Sequence, residues 1–258
     1  MMKFDAETTR TLENAYQGRD VVRRRQANIE ALAPRAGQTI VDIGSGPGYM
    51  VAELARSVGD AGSVIGIDPS EDMRKSATRA CAGFTNVQII DGAATALPLP
   101  DVSVDGAASL QVFEYLDDVP AALKEVRRVL KPGGRLVIGD IHWDSWIWES
   151  DEPARMATMM AAWDRHLVDR TVPARLSPML KAGGYELEAI TPVIFVDHQF
   201  RPDGVARMLL HLIEAYTVQN ELVEAPVVRA WAAEQHKRAA DGRFFHSITH
   251  FVISARKV

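Results

Sequence analysis

Gly44, Gly46 and Gly48 are spaced G-x-G-x-G within Val41-Asp42-Ile43-Gly44-Ser45-Gly46-Pro47-Gly48-Tyr49. Glycine reaches backbone conformations closed to other residues and lets a ligand approach the main chain. A helix starting directly after such a loop points free N–H groups outward, which suits a carboxylate or another anion. Asp68, in Ile65-Gly66-Ile67-Asp68-Pro69-Ser70, follows Gly48 by about 20 residues, and an ionised carboxylate there can accept from both hydroxyls of a ribose. Asp91, in Asp91-Gly92-Ala93, can accept from the exocyclic amine of an adenine while the small residues let the base lie against the backbone. The three together describe a ligand with a carboxylate end, a ribose and an adenine. A dinucleotide loop uses G-x-G-x-x-G instead, and Tyr49 stands where its third glycine would be.

These residues need strands that end beside them. Thr39–Asp42, Ser63–Asp68, Val87–Asp91, Val102–Leu110 and Arg135–Ile141 read as short apolar strands. Amphipathic helices are expected between them, over Pro47–Val58, Ser70–Cys81 with Ser70 as N-cap, and Val119–Leu130, broken by Pro132-Gly133. Asp20–Ala33 reads as an earlier helix, with Val22, Ile29 and Leu32 inward and Arg23-Arg24-Arg25 on a solvated face. Pro153 near the first helical position starts another helix, with Met156, Met160, Trp163 and Leu167 on one face. Glu186–Val196 and Phe244–Ala255 read as late strands, with a mostly helical stretch, Arg201–Arg238, between them. Strand–helix alternation implies an α/β fold whose parallel sheet is covered on both faces, with the ligand outside the carboxyl ends of the strands.

From about Ile40 to Ile141 the chain resembles a class I S-adenosylmethionine-dependent methyltransferase. Five pieces carry the resemblance in order: VDIGSGPG, GIDPS, DGAATALPLPDVSVD, SLQVFEYLDD and LKPGGRLVI. It is most similar to the small-molecule branch that includes ubiquinone/menaquinone C-methyltransferases and arsenite methyltransferases; arsenite chemistry uses several thiolates, and this chain has only Cys81. The resemblance implies a Rossmann-like, doubly wound, mostly parallel seven-stranded sheet with helical cap insertions. It implies one methyltransferase domain over 1–258, with an N-terminal helical segment 1–35, a cofactor-binding core 36–142, and substrate-cap segments 143–185 and 198–242. It also implies that S-adenosyl-L-methionine is bound and S-adenosyl-L-homocysteine released (EC 2.1.1.-). Gly44, Ser45, Gly46 and Gly48 would hold the methionine part, Asp68 the ribose, and Pro69 and Met73 the adenine face. Asp91, Gly92 and Ala93 would meet the adenine edge, Gln111 with its neighbours Leu110 and Val112 would run beside the sulfonium, and Tyr16 would close over the cofactor. The acid at Asp42 would orient the loop, with direct contact as the alternative.

Trp143, Trp146, Trp148 and Trp163 crowd the segment after the fifth strand. They either pack against the sheet or wall a flat apolar substrate, and Trp143, Trp146 and Trp163 are the expected substrate contacts. His142, just past the fifth strand, is the candidate general base, with His198 and His250 as rivals. His246 and His250 share a face of the last strand and can be buried and hydrogen-bonded. The expected reaction is in-line methyl transfer to a small, partly apolar or aromatic metabolite. The alternatives are a non-catalytic or regulatory S-adenosylmethionine-binding homologue and a nucleotide-cofactor oxidoreductase.

Composition narrows the partners. The chain has 258 residues, 47% hydrophobic and 24% charged, with a formal net charge of −5. That is an ordinary globular mixture, without the clustered cations that nucleic acid requires. One cysteine excludes an intramolecular disulfide, and no metal site is expected. The N-terminus lacks an apolar signal-like run and no stretch approaches a membrane span, so a cytoplasmic protein with a small-molecule substrate is expected, with homodimer formation open.

Overall fold

The computed structural model describes residues 16–258; residues 1–15 of the expected segment 1–35 lie outside them. The described chain forms two compact units. The first holds 25–141, 171–193 and 250–258; the second holds 16–24, 142–170 and 194–249. No helix among the described residues is long and apolar enough to cross a membrane.

Seven strands form one sheet: β1 (Thr39–Ile43), β2 (Ser63–Ile67), β3 (Val87–Ile90), β4 (Val104–Leu110), β5 (Leu130–Trp148), β6 (Tyr185–Asp197) and β7 (His246–Lys257), in the order β3-β2-β1-β4-β5-β7-β6. Four pairings are parallel: β1 with β2, β1 with β4, β2 with β3 and β4 with β5. β7 runs against β5, since Glu149 N donates to Phe245 O while Lys257 Nζ donates to Leu130 O. Parallel neighbours require crossovers, and the helices α2 (Tyr49–Val58), α3 (Glu71–Ala80) and α4 (Val119–Val129) supply them. The expected doubly wound, mostly parallel seven-stranded sheet is therefore present. Its order reverses at β1 and β4, which puts the ends of those strands at the switch point.

The local chemistry accounts for the elements. α2 buries Met50, Val51, Leu54, Ala55 and Val58 on one face. The Ser70 side chain caps α3 by accepting from Met73 N, as its residue type suggested, and Asp118 caps α4 by accepting from Ala121 N at 2.9 Å. The first unit's core gathers Val41, Ile43, Phe113, Leu123, Val126, Leu136 and Ile138.

Three expectations are corrected. In α1 (Arg19–Leu32), Arg24 and Arg25 are buried, and of the Arg23-Arg24-Arg25 run Arg23 alone is exposed. The Arg25 guanidinium donates twice to Glu53 Oε1, at 3.0 and 3.1 Å, and stacks 5.5 Å from the Tyr49 ring centre, so its charge is matched and its plane covered. The fifth strand does not begin at Arg135: α4 stops at Val129, Leu130 is already extended, and the strand runs through Pro132 to Trp148. In α5 (Pro153–Asp164) the buried face is Met156, Met159, Ala162 and Trp163. Met160 and Leu167 are half-buried, because the helix ends before Leu167 and its inward stripe follows i, i+3, i+7.

The remaining helices are α6 (Val172–Ala182) in the first unit and α7 (Val205–Gln219) and α8 (Ala225–Ala240) in the second. In the second unit Asp20 accepts from Arg201 Nη2 at 2.8 Å and from Val205 N at 3.0 Å, capping α7. Glu234 of α8 accepts from Ser150 Oγ, Asp151 N and Arg155 Nη2, which ties α8 to the start of α5.

Candidate cofactor site

The loop after β1 sits at the switch point and is locked from three sides. Gly44 N and Ser45 N both donate to Ile67 O, at 2.8 and 2.9 Å, joining the loop to β2. Gly48 lies at φ 85, and a Cβ there would stand 2.7 Å from Ala77 Cα in α3. The third glycine therefore lets α2 and α3 meet. At Gly46, φ 51, an added Cβ would meet nothing within 4 Å, so the loop's crest faces open space. Gly48→Ala is expected to cost about 2–5 kcal/mol, combining left-handed strain with overpacking against backbone. A urea midpoint equal to that of the unsubstituted protein would show that this contact does not hold the helices.

Asp68 is buried at the end of β2 and clamps two turns. Its Oδ2 accepts from Gly46 N and its Oδ1 from Ser70 N, each at 2.9 Å. Each carboxylate oxygen keeps further acceptor capacity for a ligand donor. Met73 is half-buried on α3, and Pro69 is exposed in the turn before it. Asp91 is largely exposed, and its Oδ1 accepts from Arg74 Nη1 at 2.7 Å; the same nitrogen donates to Asp68 O at 2.9 Å. Arg74 thus ties the ends of β2 and β3 together. Gly92 is confined by Pro98 and Ile67, and Ala93 is exposed.

Asp42, just before the loop, is fully inside, and neither of its oxygens has a hydrogen-bond partner among the described residues. Burial first, and the nearby Asp68 second, push its carboxyl well above the usual carboxylate range. Ser45 Oγ, Ser109 Oγ and Asp140 Oδ2 also lack partners among the described residues. The unsatisfied buried atoms named here are therefore oxygens, carboxylates that accept and hydroxyls that both accept and donate, a setting that suits a ligand with N–H, O–H or positively charged groups.

At the end of β4, Gln111 is left-handed at φ 55, a strained conformation for a residue with a side chain. Its N–H donates to Gly139 O at 2.7 Å, and the next amide, Val112 N, donates to Asp140 Oδ1 at 3.1 Å. Glu114 is buried beside Asp140, and the Gln111 amide donates to its Oε1 at 3.5 Å. Burial and then Glu114 raise the Asp140 carboxyl, while backbone N–H groups of residues 112–114 oppose the shift. Asp140 therefore holds the turn that shapes the end of β4. Motif reading places neither Asp140 nor Glu114 in the cofactor site.

Gly44, Ser45, Gly46, Gly48, Asp68, Pro69, Met73, Asp91, Gly92, Ala93 and Gln111 all belong to the first unit. Tyr16, His142, Trp143, Trp146 and Trp163 belong to the second. There, Trp143 lies 5.2 Å from Trp146 and 6.0 Å from Trp163 by ring centres, and Trp146 lies 5.5 Å from Trp148. His142 is half-buried, and His198 is exposed. His250, in the first unit, is buried with Asn28 Nδ2 3.1 Å from its Nε2.

Residues 41–138 match the family model described as a methyltransferase domain. Over these residues the chain carries a methyltransferase domain. It is 32% identical over 234 residues to an uncharacterized 37.1 kDa protein in a transposon of Streptomyces fradiae, covering 88% of this chain and 65% of the relative. It is 37% identical over 120 residues to the demethylmenaquinone methyltransferase of Desulfitobacterium hafniense, covering 45% of this chain and 47% of that enzyme. The chain thus spans less than two thirds of the length of these relatives. A putative methyltransferase from Bacillus halodurans shares the fold at a TM-score of 0.63 and 18% identity, over 90% of this chain and 98% of its own.

Proposed function

We propose that this methyltransferase-domain protein binds S-adenosylmethionine in the first unit and transfers its methyl group to a small, partly apolar or aromatic molecule held by the second. The observation that carries the cofactor reading is the buried, partnerless carboxylate of Asp42 beside the open crest at Gly46. The first-turn N–H groups of α2, which follow the loop, together with unsatisfied carboxylate oxygens fit a ligand with both a carboxylate and a cationic end. Asp68 would hold the ribose hydroxyls through its remaining acceptor sites; Asp91 and Ala93 would meet the adenine edge, with Met73 and Pro69 against its face. Bound there, S-adenosylmethionine supplies an electrophilic methyl carbon on positively charged sulfur.

The protein's own contribution is then alignment and exclusion of water, which lower a displacement barrier without covalent help. Gln111 and Val112, fixed by Gly139 and Asp140, give the end of β4 one rigid shape. Trp143, Trp146 and Trp163 offer apolar faces to an acceptor, and His142 takes its proton where the acceptor needs to lose one.

Calorimetric titration of the full chain with S-adenosylhomocysteine tests the cofactor reading. Saturable one-to-one binding is expected, with no saturable binding of NADH; an absence of heat or saturation with S-adenosylhomocysteine rejects it. For the base, His142→Ala is expected to lower turnover with the cofactor affinity unchanged, and full turnover in that variant removes His142 from the role.

A further inference from the structure

The second unit has the opposite polarity of need. Among its described residues, the buried side-chain atoms of Trp163, Gln235 and His246 that lack a partner are all nitrogens: Trp163 Nε1, Gln235 Nε2 and His246 Nδ1. Two of them are identified as donors by their neighbours. An indole N–H can only donate. Trp146 Nε1 donates to His246 Nε2 at 2.9 Å, so the hydrogen of a neutral His246 sits on Nδ1. Burial pushes the pKa of this ring down to about 3, so at neutral pH it is uncharged and holds that single N–H. Trp148 Nε1 donates to Gln235 Oε1 at 2.9 Å, which orients the amide so that Nε2, with two hydrogens, is left over. Both groups lean on the same ring: Trp148 lies 4.9 Å from His246, edge to face, while it donates to Gln235.

His246 and Gln235 are fully buried. A buried N–H with no acceptor costs free energy, and here two such groups sit within one aromatic cluster. The nearby cations are already matched: Arg155 pairs with Glu234, and Arg238 with Asp151. An anion would therefore gain no free counter-charge from them, and burying it among indoles is costly. A neutral oxygen acceptor on a flat apolar body satisfies both the donors and the rings.

We propose that the second unit binds a planar ligand bearing a carbonyl oxygen, which accepts from His246 Nδ1 and the Gln235 amide against the face of Trp148. This rests on the reading that the second unit holds the methyl acceptor, and it assigns that acceptor a chemical class. Because both donors are closed off from solvent, entry requires the tryptophan wall to part.

The test uses the full chain and a matched pair of probes, 1-indanone and indane, which differ by a carbonyl in place of a methylene. In equilibrium dialysis the ketone is expected to bind about tenfold more tightly than the hydrocarbon. His246→Phe and Gln235→Met are each expected to bring the ketone down to the hydrocarbon's affinity while binding of S-adenosylhomocysteine stays unchanged. Absence of saturable 1-indanone binding overturns the proposal, as does equal affinity for the two probes. If S-adenosylhomocysteine binds and 1-indanone does not, this proposal fails and the cofactor reading stands; the reverse result rejects the cofactor reading alone. Should either variant fail to fold, the probe comparison on the unsubstituted chain still decides.

Discussion

Asp68→Ala is expected to weaken S-adenosylhomocysteine binding by about a hundredfold or more. The Asp68 carboxylate already accepts Gly46 N and Ser70 N, one on each oxygen, and keeps one further acceptor position on each. In the proposed complex, two hydroxyl donors of a ribose would fill those positions. Hydrogen bonds to a charged acceptor contribute about 1.5–3 kcal/mol each, so losing both removes at least about 3 kcal/mol, or two powers of ten in affinity. Stability falls as well, because Gly46 N and Ser70 N lose their acceptor and the loop loses its tie to the end of β2. Asp68→Asn separates the two effects. The amide keeps one oxygen acceptor, so part of the clamp survives, but its NH₂ opposes a ligand hydroxyl donor. Affinity measured by calorimetry and stability measured by urea unfolding should therefore diverge for Asn and fall together for Ala. Undiminished affinity in Asp68→Ala would remove this residue from the binding site.

Asp42→Asn is expected to move stability and binding in opposite directions. In the folded protein the Asp42 carboxyl is raised above its unfolded value, so folding favours the protonated form. Its favourable contribution is complete below the ordinary carboxylate pKa of about 3.9 and is lost as pH rises through the raised folded value. As pH rises from that value towards neutral, the unliganded protein therefore gains a penalty for a buried acid without partners among the described residues. Asparagine removes the charge, and the variant should be more stable at pH 7 by about 1–3 kcal/mol, the scale of an unsatisfied buried group. Below about pH 4 the gain should vanish, because Asp42 is then already neutral. If Asp42 meets the ligand's ammonium as proposed, binding should change the other way, with S-adenosylhomocysteine weakened about tenfold or more by loss of a charge-assisted contact. Urea midpoints of both proteins at pH 4 and pH 7 check the first half. Equal midpoints at pH 7 would mean that Asp42 finds a donor in solution.

The alternating half of the fold was legible because its signals are local. Glycines follow β1, capping residues stand before α3 and α4, and apolar stripes of period 3.6 mark α2 and α4. Asp68 could be picked out because it ends a strand at the expected distance from the glycine loop. What stayed hidden depends on contacts far apart in sequence. The burial of Arg25 is set by Glu53 and Tyr49, neither of which its own helix foretells. The sequence reading sets no separate helix at α6 within the expected cap segment 143–185; Pro173 occupies its first turn, where the missing N–H costs nothing, and Pro178 lies inside it. The donor roles of His246 and Gln235 come from indoles 100 and 87 residues away in the chain, and no periodicity carries that information.

The chain passes between its two compact units at 24/25, 141/142, 170/171, 193/194 and 249/250. Three of those passages fall inside β5, β6 and β7. Neither half is therefore a detachable cassette: a protease cut or a recombination event at 141/142, 193/194 or 249/250 severs a shared ribbon. On the proposed division of labour, a change of acceptor preference would then come through point changes and loop-length drift in the second unit rather than through exchange of a whole module.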